Sequence, residues 1–346
     1  MATTFKTLNS ANDVASTRTL LHEAIPLTGT IASGTYADGT GETNIKTYSH
    51  GMFESVYDYP YLSSSANHIF DITTGYASNS ALAGVVGGVQ NSKKLNIYSQ
   101  MAQVLVGYDA TGSIQSFDRD GNIADVGDKI NEAIFVNFSR LLTKDEMKKG
   151  SFTMSVLTGG APTGPTDVMT ITDVGAADSY KVNSPAGEYG ILYTGSAVDG
   201  AGVGLIYYQA GVAVLSGSVF AASQLGNGVL VDTGFSAMAT GSNIEMMADS
   251  FRNRLQNISF NNTVELNSTV YFCRASHNEF NYSNNPTYLS ESQIRVKNST
   301  TDNPVSYVTT VGLYSSDNEL LAVAKLSEPL KKDPSTEVTL RVRLDF

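Results

Sequence analysis

The chain has 346 residues, and its 22 Lys and Arg against 33 Asp and Glu give a formal net charge of −11, the wrong sign for a protein whose main partner is a phosphate backbone. Charged residues are 16 % of the chain while Gly reaches 31. Soluble domains usually carry roughly 25 % charge, so neutral hydroxyl and amide groups must supply much of this surface, and these are cheaper to desolvate against a partner than ions are. The length suggests two or three packed units. A lone cysteine, Cys273, excludes an intrachain disulfide and sits among Val270, Tyr271 and Phe272 as a packed strand thiol. Residues 1–20 lack the apolar run of a secretory signal, so synthesis and folding are expected in the cytoplasm.

Residues 1–75 are rich in Ser, Thr and Gly, with turn chemistry around Tyr36, Asp38 and Gly39. Their aromatics Tyr57, Tyr59, Tyr61 and Phe70 suit a segment that packs on something rather than a disordered arm. A central β-rich domain with helices is expected over 76–256. Ser92 is placed to cap a helix with apolar positions Leu95, Tyr98, Ala102 and Leu105, stopped by Gly107. Alternation at Ile134, Val136 and Phe138 predicts a strand buried on both faces. Thr143 with Glu146 reads as a capping box for a short helix ending at Gly150. Strands follow over 152–157, 168–172, 189–193, 204–208 and 212–216. No charge occurs between Asp199 and Asp232, but recurrent Gly and a Gln209-Ala210-Gly211 turn make two buried strands there, not a membrane helix of about 20 residues.

Ser242 and Glu245 form a second capping-box pattern for a helix with the stripe Ile244, Met247, Phe251 and Leu255, read as a divider. A C-terminal antiparallel β domain is expected over 257–346, closing on a strand in which Val338, Leu340, Val342, Leu344 and Phe346 face one way. The predicted class is therefore β-rich α+β, mostly antiparallel sheet with a few short capped helices and a β-sandwich-like C-terminal domain.

No chemical signature stands out. His22-Glu23 lacks a second His, and Pro26 breaks any helix there. Cys273 with His277 and Glu279 lacks the further Cys ligands of a zinc deaminase. Asp118, Asp120 and Asn122 begin like a calcium loop, yet Ile123 stands where the sharp turn needs Gly, so a tight turn is expected. Nucleophile elbow, Walker loop and dinucleotide fingerprint are all missing. No catalytic residue, cofactor site or metal site is predicted, and the chain is read as non-enzymatic. Lys331, Lys332, Arg341 and Arg343 form a small basic locus, either a solvated face or a contact for an acidic partner. Phe280, Tyr282 and Tyr288, set among Asn and Ser, are the candidate interface residues, as aromatic anchors with amide rims; a loop-bound mini-core is the alternative.

Three stretches carry a resemblance. Tyr271-Phe272-Cys273-Arg274 with Asn278-Glu279-Phe280-Asn281-Tyr282-Ser283-Asn284-Asn285-Pro286-Thr287 is the first. The others are 50–73, HGMFESVYDYPYLSSSANHIFDIT, and 307–346, running from YVTTVGLYSSDNELLAVAKLSEPLKK to RVRLDF. Together they resemble virion structural proteins of contractile-tailed marine cyanophages and related marine phages. The resemblance implies a structural subunit of the virion, in the tail baseplate or neck, assembled in the host cytoplasm. Its implied partners are other virion proteins and further copies of itself in a symmetric ring or wedge, with neither nucleic acid nor membrane. A capsid or head-decoration protein, and a tail-associated glycan-binding or glycan-hydrolysing protein, remain the alternatives.

Overall fold

The computed structural model describes residues 5–27, 44–161, 164–198, 202–220, 234–282, 289–290, 293–294 and 304–346. Packing groups the chain into a large unit, Leu21–Val264, and a small unit of Met1–Leu20 with Glu265–Phe346. The strands in chain order are β1 (Val14–Pro26), β2 (Ile45–Thr47), β3 (Glu54–Tyr57), β4 (His68–Tyr76), β5 (Phe117–Asp118), β6 (Lys129–Ile130), β7 (Glu132–Phe138), β8 (Glu146–Met147), β9 (Thr153–Ala161), β10 (Gly164–Thr172), β11 (Tyr189–Thr194), β12 (Gly204–Tyr207), β13 (Val212–Ser216), β14 (Leu255–Ala275), β15 (Leu289–Ser290), β16 (Gln293–Ile294), β17 (Ser306–Tyr314), β18 (Leu320–Lys332) and β19 (Val338–Asp345). Among the described residues three helices exceed a single turn: α1 (Asn91–Leu105), α2 (Phe235–Gly241) and α3 (Ile244–Arg254). The β-rich α+β class expected from the sequence is what forms. No helix among the described residues is long and apolar enough to cross a membrane.

In the large unit the strands run β14-β9-β10-β11-β12-β13-β7-β4-β3-β2, with antiparallel pairing throughout. Period-two alternation sends Ile134, Val136 and Phe138 of β7 into one core with Phe70, Ile72, Leu215, Met247 and Phe251. Ala133 and Phe135 go into a second core with Tyr98, Leu105, Phe117, Tyr207 and Val214. The strand is therefore buried on both faces, as its unbroken apolar run requires. Helix α1 supplies Ile97, Tyr98, Ala102 and Leu105 to the second core, while α2 and α3 supply Met238, Met247 and Phe251 to the first.

Two helix starts differ from expectation in detail. Helix α1 begins at Asn91 after Gln90 in the left-handed region (φ 53), with no side-chain cap, so Ser92 lies inside it. Helix α3 is capped by Asn243, whose side chain accepts from the Met246 N–H, and not by Ser242. The short helix expected from Thr143 to Gly150 is absent. Thr143 ends a single turn, Arg140–Thr143, and Glu146 begins β8, which pairs with Asn262 and Thr263 of β14. Tertiary strand pairing overrides the local capping pattern there.

In the small unit β14 and β19 pair continuously from Ser268↔Asp345 to Ala275↔Val338, and β17 with β18 forms an antiparallel hairpin. None of its described residues belongs to either large hydrophobic core. Among its described residues, the buried apolar side chains are Val270, Leu313 and Val342. The C-terminal strand thus has the predicted alternation but shallower burial: Val342 is enclosed, while Phe346 stands 76 % exposed. Pairing there is supplied by the backbone ladder more than by apolar cover.

Candidate functional site

The most conspicuous surface belongs to the small unit. In the β17–β18 hairpin, Leu313↔Ala322 and Val311↔Ala324 face inward, whereas Gly312↔Val323 and Thr310↔Lys325 face out. The outward face carries Leu321, 67 % exposed, and Val323, 53 % exposed. Tyr314 and Leu320 lean over Gly312, where an added Cβ would lie 2.9 Å from the tyrosine ring and 3.3 Å from the leucine. The Tyr314 ring also meets Phe5, with centroids 4.7 Å apart and planes tilted by 55°. Large side chains left in water on a paired strand cost solvation that burial against a partner would recover, at about 25 cal/mol per Å².

The predicted interface residues Phe280 and Tyr282 stand beside this unit's buried lysine. Lys332 is fully buried, and its ammonium donates to Asn281 Oδ1 at 2.7 Å, the Asp333 carbonyl at 3.0 Å and the His277 carbonyl at 3.3 Å. Ser306 donates to the Phe280 carbonyl, and Phe280 sits at positive φ (53°). So pinned, the loop leaves Phe280 49 % and Tyr282 54 % exposed; neither folds into a loop-bound core. Tyr288 lies outside the described residues. Within the basic locus the roles divide. Lys332 is the internal pin, Lys331 pairs with Asp333 at 3.4 Å, Arg343 pairs with Asp345 at 2.7 Å, and Arg341 is exposed. Sequence reasoning missed Phe5, Tyr314, Leu321 and Val323 as surface anchors. The signal was available in Leu320-Leu321-Ala322-Val323-Ala324, which is apolar at consecutive positions and so cannot hide both faces of a two-stranded hairpin.

Besides the buried Arg252 and Arg254 of α3, the described residues of the large unit hold four buried ionisable sites. Glu54 on β3 is 1 % exposed; Thr47 donates to its Oε1 at 3.0 Å, while no described donor reaches Oε2. Burial, reinforced by the neighbouring Asp249 charge, pushes Glu54 up to about 9, and burial also raises Asp249, so the pair holds a proton at neutral pH. Lys94 on α1 is fully buried and donates to the carbonyls of Val89, Ala239 and Ser242 at 2.9, 2.7 and 2.6 Å. Burial lowers it to about 8, and with all three protons engaged it ties α1 to the end of α2 and offers no lone pair for chemistry. Asp173 accepts from the N–H groups of Gly150 and Phe152 and from the Tyr208 hydroxyl at 2.7, 2.9 and 2.9 Å. Burial pushes its carboxyl upward against those donors.

The fourth site is the loop expected to be a tight turn. Asp118 Oδ1 accepts from the backbone N–H groups of Asp120, Gly121 and Asn122 at 3.0, 3.0 and 3.2 Å. Its Oδ2 accepts from the Lys129 ammonium at 2.7 Å, which also donates to the Ile123 carbonyl at 2.9 Å. The chain's own ammonium thus fills the centre of the acidic loop. Among the described residues no group of three or more His, Cys, Asp or Glu is arranged to hold a metal. A shallow depression of about 230 Å³ nearby is lined by Asp120, Ser179, Lys181 and Tyr193 over Val174 and Ile191. No family model, no curated protein and no solved structure matches this chain.

Proposed function

We propose that the chain is a non-enzymatic structural subunit of a phage particle, in the tail baseplate or neck, whose small unit is its docking element. The observation that carries this reading is the imbalance among the described residues of the small unit, which bury Val270, Leu313 and Val342 but bare Phe280, Tyr282, Tyr307, Tyr314, Leu320, Leu321 and Val323. Apolar side chains so bared gain burial by association. The ionisable clusters of the large unit support a structural role as well. Lys94, Asp118 and Asp173 are each saturated by internal hydrogen bonds, which suits fixing elements together more than turning over a substrate. Mass spectrometry of purified particles, followed by a map with this subunit labelled, tests the reading. A fixed number of copies at the baseplate or neck is expected, and its presence in the infected cell without any in the particle overturns it.

A further inference from the structure

We propose that the outward face of the β17–β18 hairpin receives the 121–128 loop of a second copy of this chain, so that copies join head to tail. The inference rests on the docking role just proposed and names its partner. The first observation is the loop itself. Val126 at its tip is 98 % exposed, yet the loop around it is held rigidly. Asp118 takes three backbone N–H groups and Lys129 bridges the base. Asn122 donates to Asp125 Oδ2 at 2.8 Å, and Asp125 Oδ1 accepts from the Gly127 N–H at 3.1 Å. A fixed apolar knob left in water is prepared for insertion, because little conformational freedom is left to lose on binding.

The second observation is charge. Exposed Asp120 and Asp128 flank the knob. The receiving face offers Leu321 and Val323 for the knob and, beside them, exposed Lys325, which makes no ion pair among the described residues. The same asymmetry holds for whole units. The large unit has 12 Lys and Arg against 22 Asp and Glu, whereas the small unit has 10 against 11. Two large units repel, and the nearly neutral small unit is the partner that an acidic large unit tolerates. Knob and receiving face are different surfaces of one chain, so the contact is heterologous and generates a ring if its rotation closes.

Sedimentation of the full chain over a concentration series tests this, with circular dichroism melts to verify folding. The wild type is expected to self-associate, and Val126→Arg and Leu321→Arg each to weaken association roughly 30-fold, the loss of one interface anchor. Asp128→Lys and Lys325→Glu should each weaken it, and combining them should restore it, because opposite charges again meet across every contact. A wild type that remains monomeric at every concentration overturns the inference. So does an unaltered association of Val126→Arg when Leu321→Arg still blocks incorporation into particles, an outcome that leaves the docking role of the small unit standing. If neither substitution changes self-association or incorporation, both the inference and the docking role fail.

Discussion

The Lys129 ammonium lies 2.7 Å from Asp118 Oδ2, and the lysine side chain is 15 % exposed against 1 % for the aspartate. Removing one partner of such a buried pair leaves an uncompensated charge, which costs about 3–5 kcal/mol. Lys129→Met is therefore expected to lose about 3 kcal/mol in urea unfolding, and Asp118→Asn in the same chain to recover part of it. Simple addition of the two single losses would show that the residues do not act as a pair.

Glu54 gives the large unit a pH dependence of definite sign. Its folded-state pKa, raised by burial to about 9, lies above its ordinary 4.5. Below 4.5 both folded and unfolded chains hold the proton; between 4.5 and about 9 the unfolded chain releases it first. The stability is therefore complete at the acid end and falls as pH rises through this window. Glu54→Gln, neutral and similar in shape, should melt with a flatter pH profile and at a higher temperature on the alkaline side. Some slope should persist because Asp249 is raised in the same direction. Parallel profiles for wild type and variant would refute the assignment.

Gly75 on β4 lets α1 approach the sheet by backbone contact. A Cβ there would stand 2.6 Å from the Lys94 carbonyl oxygen and 2.9 Å from the Tyr98 nitrogen, neither of which can swing aside. Gly75→Ala is expected to cost about 1–3 kcal/mol by overpacking. Gly84→Ala, with nothing within 4 Å, should stay within about 0.5 kcal/mol of wild type. Chemical denaturation of the two variants side by side decides the matter.

Phe280 and Tyr282 are half exposed on a pinned loop, so their truncation should spare the fold and harm association. The double variant Phe280→Ala with Tyr282→Ala is expected to melt within a few degrees of wild type while its incorporation into particles drops. A large fall in melting temperature with normal incorporation would return these side chains to a packing role.

Much of the large unit was legible because its signals are local. Ile134, Val136 and Phe138 alternate, Ile244, Met247 and Phe251 repeat at helical spacing, and each predicted strand from 152–157 to 212–216 overlaps an observed one, with Phe152 and Tyr208 falling one residue outside and Leu255 beginning β14 rather than ending the helix. Glu146 misled because its pairing partner, Thr263, is more than a hundred residues away, and a capping pattern carries no information about distant strands. The carboxyl pair of Glu54 and Asp249 was illegible for the same reason, since two acids on β3 and α3 show no shared spacing. Phe280 and Tyr282 stood out in the sequence because aromatics among amides are unusual wherever they fall, and both prove half exposed. The outward face of β18 required knowing that only one partner strand covers it.

The two units also differ in when they can form. Both cores of the large unit draw on residues from Leu27 to Phe260, a continuous stretch that can fold as it leaves the ribosome. The small unit cannot. Its β1 pairs with β14, and β14 with β19, so this part of the sheet is complete only after residues through Asp345 have been made. Closing a loop of that length is slow, so the sheet of the small unit is completed after the cores of the large unit. Under the docking role proposed for the small unit, order of synthesis would act as a timer, holding that contact back until each chain has a finished, stable body to contribute.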